Sequence, residues 1–320
     1  MDKEFLFRNL IETLRDRIPQ RGKLADVLAE LLEIEKEAVY RRLRGSVPFS
    51  FQEVHAIASN MGFSLDSIAE NISLNTRQMT VLMTEFTEPQ ERDYKKLEDF
   101  VANIQRLKDD PDSESGAIGS VIPTSLCVAY KNIYKFYIFK GAHQFGNPHK
   151  IKPYSKTIIP EQLKQINKVF VECVQYSPNS VYILDRNVIN FFVNDIRFFY
   201  DIRLITREDI LLLKEDLHIL INDLERYCIN SHFDTGNKVD VFLTNIHIDS
   251  NYNYIDATKF KLTMLRTATF SDSYSFDEVV FKNMKNWLNF LKRTSTLISE
   301  GNMTERIIFF EEQRKIIDTL

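Results

Sequence analysis

Cysteine is scarce: Cys127, Cys173 and Cys228 are odd in number, far apart, and form no Cys-x-x-Cys pair. That excludes a disulfide-stapled scaffold and a thiolate metal cage, and fits buried free thiols in a reducing compartment. Glycine and proline, nine of each, are too few for a low-complexity chain. No apolar run approaches the roughly 18–20 residues needed to cross a bilayer. The start, Met1-Asp2-Lys3-Glu4, lacks the basic-then-apolar layout of a signal peptide, so a cytoplasmic chain is expected.

Catalytic signatures are missing too. There is no Gly-x-x-x-x-Gly-Lys, Gly-x-Gly-x-x-Gly, Gly-x-Ser-x-Gly or His-Glu-x-x-His. His143 and His149 share an expected loop without a Cys, Asp or Glu between them, while His218 and His247 read as ordinary residues of a helix and a strand. Asp195, Arg197, Asp201 and Arg203 alternate in charge around Phe198-Phe199-Tyr200, which suits either an anion pocket or a structural ion-pair network. No catalytic residue, metal or cofactor is expected.

Nor is there an excess of positive charge. The net charge is −4, and residues 1–70 hold ten Lys/Arg against twelve Asp/Glu. Any phosphate-binding surface must therefore be local, with Arg21, Lys23, Lys36, Arg41, Arg42 and Arg44 as its candidates.

What is present is an ordinary globular composition, 44% apolar and 27% charged, over a length that suggests about two domains. The informative stretch runs from Leu28 to Gly45. It reads as two short helices with a sharp turn near Leu32–Ile34, the small Ala29 allowing close approach and Val39 pointing inward. Around it, Phe5–Arg17 has helical apolar spacing, Lys23–Leu32 and Glu35–Leu43 form the pair, and a fourth helix runs from Phe51 to about Asn60. Ser50 and Glu53 form a capping box for that helix, and Ser64 caps a short fifth helix through Ile68.

This stretch resembles the repressor/Cro (XRE-type) helix-turn-helix family over residues 1–72. The match lies in Leu28-Ala29, Leu32, Ile34, Val39, Arg44-Gly45 and the tail Met61-Gly62-Phe63-Ser64-Leu65-Asp66. Two departures stand out: Glu33 replaces the turn glycine, which would strain a position needing positive φ, and Arg42-Leu43 replace the usual Ile-Glu. The resemblance implies double-stranded DNA as partner, with Lys36, Glu37, Tyr40 and Arg41 facing the groove. Arg42 and Arg44 would grip phosphate, and Arg41 is the leading candidate to read guanine. Because one short helix reads few base pairs, a homodimer is expected. The alternative is a protein-interaction scaffold that uses the same module for docking.

Downstream, residues 73–87 suit either a strand, which the alternation of Met79, Val81 and Met83 favours, or a helix, and Thr87 with Pro89 would open a helix at about 89–108. Its seam of Tyr94, Leu97, Val101, Ile104 and Lys108 suits either pairing with a second copy or packing on its own domain. Asp109–Gly119 has linker composition. Helices are expected at Pro123–Phe139, Pro160–Gln175, Asp185–Tyr200, Arg207–Cys228 (after Thr206 and Asp209), Ser275–Lys292 and Met303–Leu320. Strands at about 239–244, Tyr252–Ala257 and Phe260–Met264 would form an antiparallel meander. The expected class is mainly α with a small antiparallel sheet (α+β). Residues 1–72 form a five-helix domain and 73–112 a linker. Residues 113–320 form an α+β domain for dimerisation and for sensing a small-molecule or protein effector.

Overall fold

The computed structural model describes residues 3–18, 20–61, 63, 65, 68, 80–82, 89–146, 152–268 and 271–320. The chain divides into two compact units, Met1–Gln78 and Met79–Leu320.

The first unit contains α1 (Lys3–Arg17), α2 (Arg21–Leu32), α3 (Lys36–Leu43) and α4 (Phe51–Met61). Leu10, Ile11 and Leu14 of α1 meet Leu24, Ala25 and Leu28 of α2, Val39 of α3 and Ile57 of α4 in one core. The i, i+3, i+4 spacing of these residues gives each helix one apolar face. Leu65 and Ile68 are helical, but most of the expected fifth helix lies outside the described residues.

The second unit is α+β, as expected, but its sheet is larger than the meander. Among the described residues it has eight strands in the order β1-β7-β6-β5-β2-β3-β4-β8. They are β1 (Thr80–Leu82), β2 (Glu114–Gly119), β3 (Asn179–Leu184), β4 (Lys238–Thr244), β5 (Tyr252–Asp256), β6 (Lys261–Ala268), β7 (Ser271–Ser275) and β8 (Ser295–Leu297). The adjacent strands β2, β3 and β4 are parallel, with Ala117, Tyr182 and Val241 in register, and every other pairing is antiparallel. The meander exists as β5-β6-β7. β4, expected to begin it, instead pairs with β3 and β8, and β5 pairs with β2.

Helices cover both faces of the sheet: α5 (Glu91–Gln105), α6 (Thr124–Cys127), α7 (Lys131–Phe145), α8 (Glu161–Gln175), α9 (Val188–Asp201), α10 (Arg207–Asn230), α11 (Glu278–Thr294) and α12 (Met303–Asp318). Side chains alternate along a strand. Ala117, Tyr182, Leu184 and Val241 therefore face α7, α9, α10 and α12, while Ile118, Val181 and Ile183 meet Phe281, Met284 and Leu288 of α11.

Several local expectations change. Asp109–Gly119 is not all linker, because Glu114–Gly119 is a central strand. Gly116 is required there by packing, since a Cβ would lie 2.4 Å from the Tyr254 ring. Pro123–Phe139 is not one helix but α6 and the start of α7. The helix expected from Thr87 begins at Glu91, where the Asp93 carboxylate accepts the Gln90 N–H at 3.0 Å; Thr87 itself lies outside the described residues. The α5 seam residues Val101 and Ile104 are buried against Ile166 and Cys173 of α8, so this helix packs on its own unit. His143 lies in α7 against the Phe139 and Phe199 rings, whereas His149 lies outside the described residues. His247 is not in a strand; it follows β4 and places Nδ1 3.2 Å from Asp185.

Candidate nucleic-acid interface

The turn of the helix pair is closed by backbone geometry. Glu33, ending α2, is left-handed at φ 52° and ψ 41°. Its neighbour Ile34 donates its N–H to the Ala29 carbonyl at 3.1 Å, across five residues. This is the closing bond of a Schellman cap, which satisfies a carbonyl the helix end would otherwise leave free. The position does require positive φ, and a glutamate meets it at the cost of backbone strain.

The far end of α3 repeats the device with the usual residue. Gly45 has φ +78°. Ser46 N–H donates to the Arg41 carbonyl at 2.9 Å, and Gly45 N–H to the Arg42 carbonyl at 2.9 Å. A Cβ on Gly45 would lie 3.2 Å from the Phe7 ring of α1. The C-terminus of this short helix is thus capped, the turn that precedes it is closed at Glu33, and Val39, fully buried, holds its inner face against the core.

The expected contact residues are used unequally. Lys36, Glu37, Arg41 and Arg44 are exposed. Lys36 is ion-paired with Asp26 of α2, whose carboxylate hydrogen-bonds the ammonium and raises its pKa above the ordinary value. Arg44 donates to Glu37 at 3.1 Å across the outer face of α3. Among the described residues the Arg41 side chain meets no polar partner, alone among the cations of α3. Tyr40 is half-buried and packs against the core.

Arg42 turns inward. Its Nε lies 3.2 Å from Oε2 of Glu53 and its Nη2 lies 2.8 Å from Oε1, a two-pronged pairing with the carboxylate. The capping box at α4 is present: Ser50 N–H donates to Glu53 Oε2 at 2.7 Å, and Glu53 N–H to Ser50 Oγ at 3.2 Å. Burial alone would raise the Glu53 carboxyl, yet the hydrogen bonds from Arg42 and Ser50 hold it below the ordinary value. Lys23 is exposed on α2, and Arg21 opens that helix.

Sequence reasoning missed the carboxylates that partner these cations, and Phe7. Asp26 and Lys36 lie on different helices, so no local spacing announces their pair. Glu53 was legible as a cap but not as the seat of Arg42. Outside this region, the Asp195–Arg203 residues do not form one network: Asp195 pairs with Lys140, and Arg197 donates to the Thr319 carbonyl at 3.3 Å. Among the described residues no group of three His, Cys, Asp or Glu side chains is placed to hold a metal, and no helix is long and apolar enough to cross a membrane.

Two caps, a buried Val39 and an outward row of charged side chains define a helix-turn-helix unit. Residues 2–110 match the family described as the BetR domain, a DNA-binding family of the helix-turn-helix type. The matched segment continues past Gln78 into the second unit, through β1 and α5. No curated protein and no solved structure matches the chain.

Proposed function

We propose that this protein is a sequence-specific DNA-binding regulator of transcription that works as a homodimer. α3 enters the major groove, with Arg41 reading a guanine edge and Arg44, Lys36, Lys23 and Arg21 positioned near phosphate. The observation that carries the reading is the exposed, unpaired Arg41 on a helix capped at its C-terminal end and preceded by a closed turn, within a segment that matches a DNA-binding family. The likeness of Leu28–Gly45 to the repressor/Cro family supports the same assignment. Residues 113–320 would supply dimerisation and sensing of a small-molecule or protein effector, with no catalytic activity. Movement of α5 against α8 would change the spacing of two reading helices, which must match half-sites about one helical turn apart.

The test is selection of bound fragments from sheared genomic DNA, followed by affinity at two salt concentrations. An inverted repeat with steep salt dependence is expected. Arg41→Ala should lower affinity for the selected site by about tenfold and relax one base position, without unfolding the protein. The pairing of Lys36 and Arg44 with Asp26 and Glu37 favours one second reading, a protein-docking module. Salt-insensitive or absent DNA binding would support that reading instead.

A further inference from the structure

We infer that Arg42 and Glu53 form a positioning clasp that sets the pose of the reading helix, and that Arg42 is not a phosphate contact. The inference rests on the DNA-binding reading and adds a pair of residues that shapes specificity without touching DNA.

Arg42 spends its guanidinium within the unit. Nε and Nη2 engage the two oxygens of Glu53, and Nη1 donates at 3.4 Å to the Ala38 carbonyl, one turn back on its own helix. The two side chains are only 17% and 18% exposed. Glu53 is held in turn, because the oxygen that takes Nε also takes the Ser50 amide at the start of α4. α4 is anchored in the core by Ile57 and Ala58. The chain of contacts therefore runs from the core, through the cap of α4, to the last turn of α3.

A helix of eight residues holds no fixed pose by itself and depends on tertiary contacts. Adjacent helical positions differ by about 100° of rotation. Holding Arg42 inward therefore fixes where Arg41 points. Leu43, the other departure from the family pattern, packs against the core beside it.

The experiment uses the full-length chain carrying Arg42→Met, Arg42→Lys, Glu53→Gln or both Arg42→Met and Glu53→Gln. Affinity for the selected DNA site is measured at two salt concentrations, together with hydrogen exchange of the backbone amides of residues 40–46. The clasp predicts about tenfold weaker site binding for each single variant, comparable to losing one well-made base contact. The salt slope should be unchanged, and the double variant should be no worse than the singles. Arg42→Lys should lose as much as Arg42→Met, because lysine keeps the charge but not the fork.

A phosphate contact predicts otherwise: the slope falls by about 1 for Arg42→Met, Arg42→Lys keeps most of the affinity, and Glu53→Gln binds more tightly. That pattern would overturn the clasp, as would unchanged affinity and site preference in all variants. If the unaltered protein binds no DNA, the functional reading fails on its own. The clasp is then judged by exchange: faster exchange at 40–46 in both single variants, no greater in the double, upholds it, and unchanged exchange overturns it.

Discussion

The ring of Phe7 lies 3.2 Å from where a side chain on Gly45 would begin. The first helix of the unit therefore abuts the residue that ends α3, and Gly45 meets two demands at once: a left-handed backbone and room for an aromatic edge. Gly45→Ala should destabilise the N-terminal unit by about 2 kcal/mol, the scale for a non-glycine residue forced into such a conformation. Urea unfolding of the full-length chain checks this through the midpoint of the transition belonging to residues 1–78.

Glu33 presents the opposite case. It holds φ 52° without being glycine, and its carboxylate is exposed and makes no hydrogen bond among the described residues that a substitution would break. Glu33→Gly should stabilise the same unit by about 0.5–1 kcal/mol, the left-handed penalty less the extra entropy glycine loses on folding. A lower urea midpoint would show that the glutamate makes a compensating interaction.

Asp26 holds Lys36 in an ion pair, and on the proposed reading its carboxylate competes with DNA phosphate for the ammonium. Asp26→Asn should raise non-specific DNA affinity and steepen the salt slope by about 1, one additional phosphate neutralised. Titration against a random duplex at two ionic strengths gives the slope directly. An unchanged slope would mean that Lys36 lies away from the backbone.

In the second unit, Glu114 accepts the Tyr254 hydroxyl at 2.7 Å and the Lys285 ammonium at 2.6 Å. Burial alone would raise its carboxyl; the hydrogen bonds from Lys285 and Tyr254, together with the charges of Lys285 and Lys292, hold it below its ordinary value of 4.5. A carboxylate with a depressed folded pKa contributes stability that is present above its unfolded value and is lost as pH falls through the folded one. Acid unfolding should therefore steepen below about 4.5. Glu114→Gln should flatten that limb while lowering stability at neutral pH, as read by circular dichroism across pH.

The first unit was largely legible because its signals are local. Leu10, Leu14, Leu28 and Val39 repeat at helical spacing, and Ser50 with Glu53 marks a cap. Charge pairing within the site was not legible, because Asp26 meets Lys36 and Glu53 meets Arg42 across turns whose geometry no spacing specifies. The sheet failed for a related reason. Glu114-Ser115-Gly116-Ala117 has the composition of a linker and is a strand only because β3 and β5 flank it. Ser180–Leu184 is buried on both faces, so it lacks the alternation by which a half-exposed strand is read.

The strand order carries a kinetic consequence. Glu114 in β2 pairs with Asp256 in β5, so the middle of the sheet joins segments distant along the chain, and at its edge Phe242 in β4 pairs with Leu297 in β8. Such pairings close slowly, whereas a bundle built from neighbouring helices forms fast. During synthesis residues 1–78 emerge well before β5, so the helices of the first unit can pack while the sheet is still incomplete. α3 can therefore pack within its own unit while the sheet of the second unit is still without its central pairing. An error in the later, slower half would leave a chain whose helix-turn-helix unit is folded while its sheet is unfinished.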